Sequence, residues 1–145
     1  MNTTPVMTTT PLVVERVYNA PIESVWDALT NNEKLKQWYI SMPEFKAVQG
    51  FTFSFPCTDH GEEFVNLCEV TEVIPGHKLA YSWRHEGHEG ESNVSFELYA
   101  EGSKTRLVLT HVGLESFAGD IFPRSGFEKG WDYFINETLP QFLGA

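Results

Sequence analysis

The sequence predicts an α+β domain: about six antiparallel strands, two short helices after the first strand, and a long C-terminal helix packed on the sheet. Three observations carry that expectation. Apolar residues alternate with polar ones in a series of short runs between residues 51 and 112, which is the period of half-buried strands. Those runs are joined by turn sequences rather than helical crossovers, so the strands meander antiparallel. The last twenty residues carry an aromatic stripe at helical spacing.

The elements follow in order. Residues 1–11 are Thr-rich with two prolines and read as a flexible tail before one domain over 12–145. Leu12 to Tyr18 is β-branched and reads as a strand. Pro21 suits the first position of a helix, where a missing N–H costs nothing; Ile22, Val25, Trp26 and Leu29 follow at helical spacing. Thr30 to Glu33 has the pattern of a capping box, opening a second short helix with Leu35, Trp38 and Tyr39. The linker Ser41–Glu44 ends it. Phe51, Phe53 and Phe55 alternate with Thr52 and Ser54. Glu63 to Ile74 is a longer strand stopped by Pro75-Gly76. Leu79, Tyr81 and Trp83 alternate, Arg84 to Glu91 reads as a polar loop, and Val94, Phe96 and Leu98 alternate after it. Glu101 to Lys104 is a tight hairpin connection, and Thr105 to Val112 is a strand with Leu107, Leu109 and His111 on one face. Gly113 to Arg124 reads as a loop. Ser125 to Glu128 is a second capping box, placing the last helix from about Gly126. Its stripe is Phe127, Trp131, Phe134, Ile135, Thr138, Leu139 and Phe142. Pro140 removes a helical hydrogen bond, so the helix is expected to kink or end near Leu139.

Composition narrows the function classes. The 145 residues are 41% hydrophobic and 14% aromatic, enough for a packed core. Twenty acidic residues against ten basic ones give a net charge of −10. That surface repels phosphate backbones and anionic headgroups, so neither nucleic acid nor membrane is an expected partner. Cys57 and Cys68 form no C-x-x-C pair and are too few for a disulfide framework. Together with an N-terminus that lacks a basic and an apolar region, they point to reduced thiols and a cytoplasmic protein.

Several ordered segments carry a family resemblance. Ala20-Pro-Ile-Glu-Ser-Val-Trp-Asp-Ala-Leu-Thr30 with Leu35 and Trp38 resembles the opening of START-like (SRPBCC) proteins. So do Glu69 to Trp83 (EVTEVIPGHKLAYSW), Thr105 to Leu114 (TRLVLTHVGL) and Gly130-Trp131. Together they resemble the branch related to the C-terminal domain of the activator of heat-shock-protein-90 ATPase. Where such proteins carry Gly-Gly before the second strand, this chain has Gln49-Gly50. The resemblance implies a helix-grip fold, with the sheet curled around the last helix and a cavity between them. It also implies a small hydrophobic or amphipathic ligand. The eponymous cochaperone makes its main chaperone contact through a separate N-terminal domain that is not expected here, so the resemblance carries ATPase activation over poorly.

Candidate ligand-binding residues are therefore Trp38, Phe53, Tyr81, Trp83, Phe96, Leu98, Leu109, His111, Trp131, Phe134 and Ile135. His111 ends an apolar strand face. It would either orient a ligand's polar end or be a buried histidine satisfied by a neighbour. The aromatics divide between core and cavity wall. His85-Glu-Gly-His-Glu resembles a metal site only superficially, since a flexible turn lacks the supporting contacts that hold real ligands, and a solvated acidic hairpin is the expected reading. No metal, cofactor or catalytic residue is assigned, because no phosphate loop, nucleophile elbow or zinc-helix motif occurs. Non-catalytic binding is the leading expectation. A cyclase- or dehydratase-type enzyme using the same pocket is a second, and a chaperone- or stress-associated interaction protein a third. A homodimer also remains open.

Overall fold

The computed structural model describes residues 10–59, 62–119 and 121–144. The expected tail lies outside them except for Thr10 and Pro11. The order is β1 (Leu12–Tyr18), α1 (Ile22–Thr30), α2 (Asn32–Trp38), β2 (Thr52–Asp59), β3 (Glu62–Ile74), β4 (Lys78–His85), β5 (Ser92–Glu101) and β6 (Lys104–Val112). A 3₁₀ turn (Leu114–Ser116) and the C-terminal helix follow. The strands form one six-stranded sheet in the order β1-β6-β5-β4-β3-β2, antiparallel throughout. This is the expected α+β, helix-grip arrangement, an open curved sheet held against a long C-terminal helix.

Alternation decides which face is inside. Along β5, Ser92, Val94, Phe96 and Leu98 are buried while the residues between them are half-exposed, and Thr105, Leu107, Leu109 and His111 repeat the pattern on β6. β3 shifts register between Val70 and Glu72, a bulge that bends the strand where the sheet must curl. Gly50 precedes β2 with a φ of 90°, a left-handed conformation that disfavours side chains. Gly50 thus occupies a position that favours glycine.

Several local expectations are corrected. Pro21 is the N-cap of α1 rather than its first residue. Asn31, not Thr30, caps α2, accepting from the N–H groups of Glu33 and Lys34; the Thr30 hydroxyl instead donates back to Trp26 O at 2.8 Å. The last helix starts at Arg124 with Pro123 as N-cap and no side-chain cap, so Ser125 to Glu128 is no capping box. β4 continues through His85, which is 2% exposed. That histidine belongs to the sheet rather than to a solvated loop.

Pro140 does not end the helix, but the helical geometry is distorted just before Leu139. Arg124–Tyr133 is α-helical, Phe134–Thr138 is a π-helical turn, and Leu139–Leu143 resumes α geometry. In the π turn the Leu139 N–H reaches Phe134 O, and Pro140 has no N–H to offer. The carbonyls of Ile135 and Asn136 thus lose their usual helical donors. β1 replaces them: the Tyr18 hydroxyl donates to Ile135 O at 2.5 Å and Arg16 Nη1 donates to Asn136 O at 3.2 Å. The first strand therefore fixes the rotation of the last helix.

Candidate functional site

A cavity of about 620 Å³ opens between that helix and the β2–β3–β4 side of the sheet, within the range of small-molecule sites. Its floor comes from register. Phe55, Asn66 and His85 are cross-strand neighbours on β2, β3 and β4, so their side chains stand in a row on the inner face. Trp83 lies two residues before His85 on the same face. The roof is Ile121 to Pro123 and the helix face Ser125, Gly126, Phe127, Lys129, Gly130, Trp131 and Phe134, and Ile40 adds to the lining. Gly126 and Gly130, one turn apart, both line the space. A Cβ at either would meet nothing within 4 Å.

Polar groups in the floor are mostly satisfied. Trp83 Nε1–H donates to Asn66 Oδ1 at 2.9 Å, and Asn66 Nδ2–H donates to Phe55 O at 3.3 Å. His85 differs. Its ring stacks on Phe122 with centroids 3.6 Å apart and planes 6° from parallel, and its Nδ1 is buried without a hydrogen-bond partner. Burial, and secondarily His88, lowers its pKa to about 4, so the ring is neutral at ordinary pH. Cys57 is half-buried on the same lining.

His111 sits behind this cavity rather than in it. It is fully buried. Trp131 Nε1–H donates to its Nδ1 at 3.0 Å, so the ring proton resides on Nε2. That N–H donates to Ser92 Oγ at 2.7 Å, and the Ser92 hydroxyl in turn reaches Trp83 O at 3.2 Å. Burial foremost, with Arg124 adding, pushes the His111 pKa down to about 3. Both nitrogens are occupied, which is the satisfied-by-a-neighbour alternative. The histidine locks two cavity-wall tryptophans together.

The remaining sequence candidates divide. Trp83, Trp131 and Phe134 line the cavity. Trp38, Phe53, Tyr81 and Phe96 surround a gap of only about 10 Å³, the scale of a single water, so they are packed core. Tyr81 adds a hydroxyl contact to Tyr39 at 3.0 Å. Leu98, Leu109 and Ile135 are fully buried and line neither space. Sequence reasoning missed Phe55, Asn66, His85, Phe122 and Phe127. His85 was legible as the next step of the Leu79, Tyr81, Trp83 alternation, and Phe127 already stood in the helical stripe. Nothing local marked Asn66, whose neighbours are set by register. Among the described residues no helix is long and apolar enough to cross a membrane, and no three metal-ligating side chains cluster.

Solved structures share this architecture. Protein MLL2253 from Mesorhizobium loti is 31% identical with a TM-score of 0.75, covering 93% of this chain and 97% of that one. Protein BH1534 from Bacillus halodurans is 27% identical with a TM-score of 0.70, covering 92% and 96%. DynU16, a protein of the dynemicin biosynthetic locus, shares the fold at 21% identity and a TM-score of 0.74, covering 93% of this chain and 47% of its own. Comparison with curated proteins finds no match. The family described as activator of Hsp90 ATPase homolog 1-like protein matches residues 19–144. With the resemblance read from the sequence and the helix-grip architecture, that match places the chain in the activator of Hsp90 ATPase homolog 1-like family.

Proposed function

We propose that the protein binds one small hydrophobic or amphipathic molecule in the cavity between the sheet and the C-terminal helix, without transforming it. The observation that supports this most is the cavity itself: about 620 Å³ walled by Phe55, Trp83, Phe122, Phe127, Trp131 and Phe134. Each Å² of apolar surface buried there is worth about 25 cal/mol before ordering costs. The aromatic walls supply it without polar cost, and His85 adds a polar group without a partner to the lining. A binding role is preferred to an enzymatic one because acid–base catalysis calls for groups converging on a reacting atom. Cys57, His85 and Lys129 are the titratable lining residues, and none hydrogen-bonds another. Native mass spectrometry of protein purified from its own host tests the reading. A retained small molecule at one per chain, released on unfolding, is expected; protein with no retained molecule and no affinity for apolar probes would overturn it.

A further inference from the structure

The charge of the cavity lining runs against that of the chain. The protein has twice as many acidic as basic residues, yet no Asp or Glu occurs among the described residues that line the cavity, while Lys129 does. Lys129 is exposed at the rim, and among the described residues no carboxylate pairs with it. Arg124, the nearest arginine along the helix, is committed elsewhere: Nε meets Glu128 at 3.1 Å and Nη1 donates to Thr10 O at 2.6 Å.

The start of the C-terminal helix opens on the same space. Pro123, Ser125, Gly126 and Phe127 all line it. The first turn of this ten-residue α-helical segment has no side-chain cap and no acidic residue. Its N–H groups and the helix dipole therefore favour negative charge there. A second, independent feature lies beside the same turn, where the His85 ring packs on Phe122 and Phe127. His85 is 2% exposed, lines the cavity beside Phe122, and leaves Nδ1 buried and unpartnered. Buried polar groups without partners are uncommon and costly, and a ligand atom is one way to satisfy this one. The opposite end, with Ile40, Trp131 and Phe134, is apolar.

From these positions we infer that the cavity selects an aromatic-bodied ligand with a single anionic head, the head at His85, Lys129 and the first turn of the C-terminal helix. The inference rests on the ligand-binding reading above and deepens it by naming the ligand's charge and orientation. The body lies along the aromatic walls, where ring faces and edges both find partners. Cationic ligands are disfavoured at the head end, where they meet Lys129 and the helix dipole with the wrong sign.

Three probes of equal body size test it by calorimetry at physiological ionic strength, where long-range repulsion from the acidic surface is screened. They are naphthylacetate, naphthylethanol and naphthylethylamine. The expected order is acetate tightest, about tenfold over the alcohol, with the amine weakest. His85→Phe keeps a ring on Phe122 but removes the nitrogens, and Lys129→Gln removes the charge. Each should reduce acetate affinity about threefold or more and weaken the alcohol less. Alcohol or amine binding as tightly as acetate would overturn the charge assignment and leave the pocket standing. An acetate preference untouched by both variants would overturn the placement of the head. Absence of binding by all three would overturn the underlying cavity reading as well. Should His85→Phe fail to fold, the wild-type order and Lys129→Gln still decide.

Discussion

Tyr18→Phe deletes one hydroxyl and probes how the cavity's roof is set. That hydroxyl is the donor to Ile135 O at 2.5 Å, in a residue pair 1% and 0% exposed. Because the π turn and Pro140 deny Ile135 O its helical donors, the deletion leaves a buried carbonyl unpaired, which costs about 1–3 kcal/mol. For a domain of this size about 2 kcal/mol corresponds to a Tm lower by roughly 4–8 °C. Pro140→Ala supplies the missing N–H. In the Tyr18→Phe background that N–H can recapture the stranded carbonyl, so the double variant should be less destabilised than the sum of the singles by about 1 kcal/mol. Urea denaturation of the four proteins, read at unchanged m-value, completes the cycle. Additivity within about 0.3 kcal/mol would refute the claim that β1 compensates the proline and sets the helix's rotation.

Acid should destabilise the fold through two histidines. His111 and His85 are held neutral in the folded protein, with pKa values lowered to about 3 and about 4, so the unfolded chain binds more protons below its ordinary pKa of about 6.5. Their contribution is full above that pH and falls as pH drops, by about 1.4 kcal/mol per unit for each, or roughly 5 kcal/mol for both by pH 4.5. Denaturant midpoints from pH 7 to 4.5 measure it; His85→Phe should remove half the slope, and a wild-type slope below one proton would contradict the burial account. Gly90 offers a steric test. It has a φ of 104°, and a Cβ there would lie 2.4 Å from Ser116 O and 2.8 Å from a Phe117 ring carbon. Gly90→Ala should therefore cost at least about 2 kcal/mol in the same assay, and a cost below about 0.5 kcal/mol would show the loop beneath Phe117 to be slack.

The strands and their antiparallel meander were legible because period-2 alternation is a local signal, whereas the pairing of β1 with β6 is long-range and was not. Each inward row from Leu79 to Leu109 could be read before any contact was known. The ends of helices were less legible, since Thr30 and Asn31 are equally plausible caps by residue type. Which of them folds back depends on where α1 stops. The π turn was illegible for a different reason. Pro140 announces a missing donor, but that Tyr18 and Arg16 would supply replacements across the fold is a long-range fact. The same holds for the site. Trp83, Trp131 and Phe134 were found as aromatics on facing elements, whereas Tyr81 and Phe96, with the same signature, packed solid. The cavity side is the one lined by Gly126 and Gly130, where a Cβ would meet nothing within 4 Å. His111 looked like the cavity's polar group because its strand face is apolar; its partners Ser92 and Trp131 come from β5 and the helix.

The cavity's role as a binding site is tested most directly by filling it from the helix side. At Gly130 a Cβ meets nothing within 4 Å, no left-handed backbone is required, and the position lines the cavity. Gly130→Leu should stabilise the helix by roughly 0.5–1 kcal/mol, raising Tm by about 2 °C, while occupying the space a ligand needs. Saturable binding of the neutral probe N-phenylnaphthylamine, followed by energy transfer from the wall tryptophans, is expected for the wild type at one per chain. The variant should fold more stably and bind at least about tenfold more weakly. Undiminished binding by a well-folded Gly130→Leu protein would contradict the account and place any ligand elsewhere.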